Sequence, residues 1–132
     1  MAAAGILIVD DNPTNARLLS FVLSRAGHSV QVAGNAKEAL AALEGFAPSL
    51  VLMDLQMPGM DGLTLSRRLR ADPKWKHLII IAVTAYAMVG DRERALEAGC
   101  EDYITKPIDT RALPAQIAEY LGQDALRPAK AE

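Results

Sequence analysis

Apolar runs recur along the chain, at "GILIVD" (5–10), "HSVQVA" (28–33), "SLVLMD" (49–54), "LIIIAV" (78–83) and "EDYIT" (101–105). The first, third and fourth are apolar almost without interruption, which predicts parallel strands covered on both faces. Helical spacing fills the gaps. Asn12-Pro13 reads as an N-cap followed by proline at the first helical position, with Leu18, Leu19, Val22, Leu23 and Ala26 on one face up to Gly27. Asn35, with Glu38 three residues on, opens a second helix that points Ala39, Leu40 and Leu43 inward and stops before Gly45. The third and fourth helices are expected over 63–70 and 91–98, with Gly99 just past the end of the latter. Leu113, Ile117, Tyr120 and Leu121 mark a fifth; Pro114 suits only a first turn, which puts its start near Arg111.

Strands alternating with helices in this way require right-handed crossovers and helices on both faces of a parallel sheet. The expected fold is α/β, a flavodoxin-like doubly wound five-stranded sheet of order 2-1-3-4-5. Residues 1–122 form one domain and 123–132 a short polar tail. In this order the switch point lies between the first and third strands, and ligands bind outside their carboxyl ends. Asp10 and Asp11 leave the end of the first strand and Asp54 the end of the third. Three acids distant in sequence are thereby expected in one crevice.

Composition narrows the chemistry. A chain of 132 residues that is 51% hydrophobic can build a full core without disulfides. The net charge of −2, with signs interspersed, argues against nucleic acid or an anionic membrane as the main partner. One cysteine, Cys100, cannot bridge internally, which fits a cytoplasmic setting, and no apolar run is long enough to span a membrane. His28 and His77 lack acidic partners, and the basic "KWKH" loop (74–77) reads as a solvated connection.

Three clustered carboxylates repel one another unless a cation compensates, and hard oxygen ligands without His or Cys point to Mg²⁺. Thr84 after the fourth strand offers a hydroxyl, and Lys106 after the fifth a fixed positive charge. Acids, metal, hydroxyl and ammonium together make an acceptor for a phosphoryl group, with Asp54 as the attacking carboxylate. Taken singly, each residue has an ordinary structural reading. Asp10 or Asp11 can precap a helix, Thr84 can bond backbone, and Tyr103 can be an edge-strand aromatic.

"VDD", "MDLQMPGMDG", "TA" and "KP", each at a strand end and in this order, resemble the receiver domain of bacterial two-component response regulators. The similarity covers residues 5 to about 121. It implies that Asp54 is phosphorylated by a histidine kinase or phosphotransfer protein. It also implies that Asp11 and Asp54 bind Mg²⁺ directly, Asp10 mainly through water, and that the backbone carbonyl of Gln56 completes the metal site. Thr84 and Lys106 would contact the phosphoryl oxygens, Tyr103 would be the aromatic switch residue, and Lys106-Pro107 would be a cis peptide holding the lysine's approach. Phosphorylation would bias the surface of the fourth helix, fifth strand and fifth helix toward a downstream protein target. Gln56 and Tyr86 occupy the positions that tune phosphoryl lifetime, whereas Asp61 is a loop residue shaping a turn.

The style of "TAYAM…GDRERALEAGCEDYITKPI" is similar to stand-alone regulators of the cell-cycle and phosphorelay type. The expectation is therefore a single-domain regulator, monomeric or weakly dimeric, that catalyses only its own phosphoryl transfer and slow dephosphorylation. A module cut from a hybrid kinase or multidomain regulator is the alternative. An Asp-nucleophile, Mg²⁺-dependent phosphatase fits less well. That chemistry wants a second acid two residues after the nucleophile, where this chain has Gln56 after Asp54 and Asn12 after Asp10.

Overall fold

A computed structural model describes residues 5–55, 62–85 and 90–126. Gln56, Asp61 and Tyr86, to which the sequence assigns roles, lie outside the described residues, as do Met57, Met60 and Met88. The elements are β1 (Gly5–Val9), α1 (Pro13–Arg25), β2 (Ser29–Ala33), α2 (Ala36–Phe46), β3 (Leu50–Asp54), α3 (Gly62–Ala71), β4 (Ile79–Thr84), α4 (Asp91–Glu97), β5 (Asp102–Thr105) and α5 (Leu113–Leu126). A 3₁₀ turn at Pro73–Trp75 joins α3 to β4. All strand pairs are parallel, in the order β2-β1-β3-β4-β5, the flavodoxin-like arrangement.

Alternation along the strands divides the core in two. Ile6, Ile8, Leu50, Leu52, Ile79, Ile81 and Val83 pack with Ala16, Leu19 and Leu23 of α1 and Leu113 and Ile117 of α5. Leu7, Val9, Val51, Met53, Ile80 and Ala82 pack with α2, α3 and Ala95 of α4. β3 and β4 are buried along their whole length, which is why their sequences carry no polar alternation.

Most punctuation signals act as expected. Asn12 Oδ1 accepts the backbone N–H groups of Thr14 and Asn15 at 3.0 and 3.1 Å, with Pro13 at the first helical position. Asn35 Oδ1 accepts the Glu38 N–H at 2.8 Å, while the Glu38 carboxylate reaches back to the Gly34 N–H. Gly27 and Gly99 both sit at φ +101° just beyond their helices, a conformation that costs a side chain dearly.

Four expectations need correcting. α2 runs through Gly45 to Phe46 and ends on Ala47, at φ 53°. The terminator is Pro48, which disfavours helical geometry in the residue before it. Leu18 and Ala26 do not join the buried face of α1; Leu18 is 48% exposed. α5 starts at Leu113, two residues later than expected, because Asp109 organises a preceding turn in which its side chain accepts the Arg111 N–H. Finally, α5 continues to Leu126, so its last turn falls in the segment expected as a tail. No helix among the described residues is long and apolar enough to cross a membrane.

Candidate functional site

The parallel register fixes which side chains meet at the carboxyl edge of the sheet. Val9 pairs with Met53, and Asp54 pairs with Val83, so Asp10, Asp54 and Thr84 emerge from three adjacent strands. Asp54 is the last residue of β3, as expected, whereas Thr84 closes β4 rather than following it and Asp10 lies one residue beyond β1. Carboxylate oxygens of Asp10, Asp11 and Asp54 come within 4.8 Å of one another. Asp10 and Asp54 are only 3% and 2% exposed, and Asp11 faces solvent.

Lys106, one residue past β5, reaches over this cluster. Its Nζ lies 3.3 Å from Asp54 Oδ2 and 3.9 Å from Asp10 Oδ2. Its backbone N–H donates to the Thr84 carbonyl at 2.7 Å, tying the end of β5 to the end of β4, and the Lys106–Pro107 peptide is cis. One ammonium among three carboxylates leaves net negative charge in a mostly buried pocket. Oxygen donors alone and one solvent-facing acid suit a small hard dication such as Mg²⁺, which retains waters.

Asp54 is set from below by a close backbone approach. A Cβ on Gly62, the first residue of α3, would fall 2.6 Å from the Asp54 carbonyl oxygen and 2.9 Å from Met53 Cγ. Only glycine lets α3 start against the end of β3. Asp10 is set from the side: its Oδ1 accepts the Asn12 N–H at 2.9 Å, and its Oδ2 accepts the Asn15 side-chain amide. Asn15 has no place among the residues singled out from sequence. Its signal was available, because an amide in the first turn of α1 faces back to the end of β1.

Alternation separates the remaining candidates. Tyr103 pairs with Ala82 and Thr84 with Thr105, so Tyr103 and Thr84 share the face covered by α2, α3 and α4. Thr84 is 1% exposed, and half-buried Tyr103 packs against the same apolar cluster as Ala95 of α4. Asp10, Asp54 and Lys106 lie toward the other face. There a cleft of about 410 Å³, lined by Asn12, Asn15, Leu18, Ala85, Lys106 and Ile108, opens between α1 and the segment after β5. Cys100 is buried with its sulfur 3.5 Å from Ser66 Oγ, and burial raises its thiol pKa, so it behaves as a small hydrophobe.

Residues 6–118 match the family model of the response regulator receiver domain. The chain is 47% identical over 120 residues to an uncharacterised 14.6 kDa protein of Leptolyngbya boryana, spanning 91% of this chain and 92% of the relative. It is 39% identical over 117 residues to the polar-differentiation response regulator DivK of Brucella anthropi, spanning 89% and 95%. The crystal structure of a putative response regulator from Chloroflexus aurantiacus superposes with a TM-score of 0.85 at 35% identity, over 92% and 99% of the two chains. The carboxyl-edge acids, the matched model and these relatives agree, and the chain belongs to the response regulator receiver domain family.

Proposed function

We propose that this chain is a phosphorylation-controlled switch in which Asp54 takes a phosphoryl group from a phosphohistidine on a sensor kinase or phosphotransfer protein. The observation that carries this reading is the convergence of three carboxylates with Lys106 Nζ 3.3 Å from Asp54. In the transfer, an Asp54 oxygen bonds to phosphorus as the P–N bond breaks, and the electron pair returns to the donor imidazole. Lys106 meets charge on the transferring oxygens, and the Thr84 hydroxyl donates to one of them. Asp11 and Asp54 would hold Mg²⁺ directly, Asp10 through water, with the Gln56 carbonyl completing the set. Bound there, the ion neutralises charge on the phosphoryl oxygens and aligns them.

The donor approaches by the cleft beside Lys106. Leu18 on its rim and the neighbouring Phe21, 48% and 59% exposed, give a partner an apolar landing on α1. On the other face, movement of Thr84 toward the phosphoryl group would free space for Tyr103. That biases the surface formed by α4, β5 and α5, where a downstream protein binds. The chain works in the cytoplasm as a single-domain regulator, monomeric or weakly dimeric, without direct nucleic-acid contact. It turns over only its own phosphoryl group.

Incubation with acetyl phosphate and Mg²⁺ tests the chemistry. The wild type is expected to gain one phosphoryl mass, to gain none when a chelator is present during the incubation, and Asp54→Asn to gain none in either case. Full labelling of Asp54→Asn removes the assignment.

A further inference from the structure

Asp10 of the acidic cluster is held on both carboxylate oxygens by the first turn of α1 and its cap. Asp10 is 3% exposed, and both of its oxygens are engaged: Oδ1 by the Asn12 N–H at 2.9 Å, Oδ2 by the Asn15 side-chain amide, with Lys106 Nζ 3.9 Å from Oδ2. A carboxylate only accepts, so the Asn15 atom facing it must be the amide nitrogen. Asn15 is free to do this because its own backbone N–H is already capped by Asn12 Oδ1 at 3.1 Å. The stretch "DNPTN" thus divides its labour. Asn12 caps α1, Pro13 starts it, and Asn15 turns back to the strand end.

From this geometry we infer that Asn15 is a positioning residue for the metal site, acting through Asp10. The inference rests on the Mg²⁺ reading given above. A donor on each oxygen fixes the carboxylate plane and leaves one lone pair per oxygen for a metal-bound water. Removing the amide leaves a buried carboxylate short of a donor and free to turn toward Lys106. Partners of metal-ligating groups typically change metal affinity 10- to 100-fold when removed.

The test is Mg²⁺ binding to the unphosphorylated full chain by titration calorimetry, beside the Mg²⁺ dependence of acetyl phosphate labelling. Asn15→Leu, close in shape but without a donor, is expected to raise the Mg²⁺ dissociation constant about tenfold. It should raise the half-saturating Mg²⁺ for labelling equally, with the rate at saturating Mg²⁺ nearly unchanged. Asn15→Gln, which keeps the amide, should stay within about threefold of wild type. A purely structural role would lower the urea midpoint and leave Mg²⁺ half-saturation where it was. If Asn15→Leu loses its cooperative urea transition, Asn15→Ala replaces it with the same expectation. Unchanged Mg²⁺ binding in the donorless variant, or an equal shift in Asn15→Gln, overturns the inference while wild-type binding leaves the metal site standing. Wild-type protein that binds no Mg²⁺ overturns both.

Discussion

On the face covered by α1 and α5, Asp10, Asp54 and Lys106 are held by short contacts to one another and to the first turn of α1. Thr84 and Tyr103 lie on the opposite face, where Ala95 of α4 packs, and the far end of α4 is tied to α3. Ser66 Oγ of α3 donates to the Ala98 carbonyl at 2.9 Å, and Arg70 Nε of α3 donates to the Gly99 carbonyl at 2.7 Å. Arg70 also pairs with Glu101 at 3.3 Å. Two side chains one turn apart on α3 therefore satisfy carbonyls that the C-terminus of α4 leaves open. The other end of α4 starts on Gly90 at φ 90°, which has no side chain with which to cap it. One face holds its charged groups in mutual contact; the other ties the C-terminal end of α4 to α3, while Gly90 offers no side-chain cap among the described residues at the end nearer the acids. On the proposed reading, an acceptor needs a fixed geometry and a switch a movable element, and alternation along three strands would let one sheet edge carry both.

The sharpest way to break this comparison is to cut each face separately. Asp54→Asn is expected to abolish acetyl phosphate labelling. Thr84→Ala should still be labelled, yet lose the backbone shifts that beryllofluoride induces around Tyr103 in wild-type NMR spectra. Equal loss of labelling in both variants would erase the division between faces.

A smaller effect concerns the anchored end of α4. A Cβ on Gly99 would clash with Arg70 Cγ, and φ is +101° there. Gly99→Ala is expected to cost about 2–4 kcal/mol by urea denaturation, from backbone strain and overpacking together. A cost under about 0.5 kcal/mol, the scale of an ordinary surface change, would show that the clasp does not hold α4.

Smaller still is the tie between β5 and α5. Tyr120 Oη donates to Asp102 Oδ2 at 3.0 Å, while Arg92 of α4 lies 3.4 Å from Asp102 Oδ1. Burial first, then the bond to Asp102, push the Tyr120 phenol from 10 up to about 12. The folded state thus favours neutral tyrosine. That contribution is complete below pH 10 and lost as pH rises from 10 to 12. Tyr120→Phe should cost about 1 kcal/mol at neutral pH and flatten the loss of stability between pH 10 and 12. An unchanged alkaline slope would show that another group governs it.

The face that carries the acids was the more legible from sequence. Asp10, Asp54 and Lys106 stand at the ends of apolar runs, and a parallel sheet brings strand ends together whatever the connections contain. Asn12, Asn35, Gly27 and Gly99 act locally and announced themselves the same way. The anchoring of α4 was not legible, because Ser66 and Arg70 meet Ala98 and Gly99 about thirty residues on, and no local pattern encodes that meeting. Leu18 fits the helical stripe by spacing, yet it is left at the rim of a cleft because no described residue after β5 covers it. Ala47 ends α2 for a reason that lies one residue further on, in Pro48.

Borohydride reduction of the protein after acetyl phosphate treatment, followed by peptide mass spectrometry, reads the acceptor directly, since an aspartyl phosphate is reduced to homoserine. The predicted result is homoserine at position 54 alone, formed only when Mg²⁺ was present during labelling. Homoserine at Asp10 or Asp11, or its formation at position 54 without Mg²⁺, would contradict it.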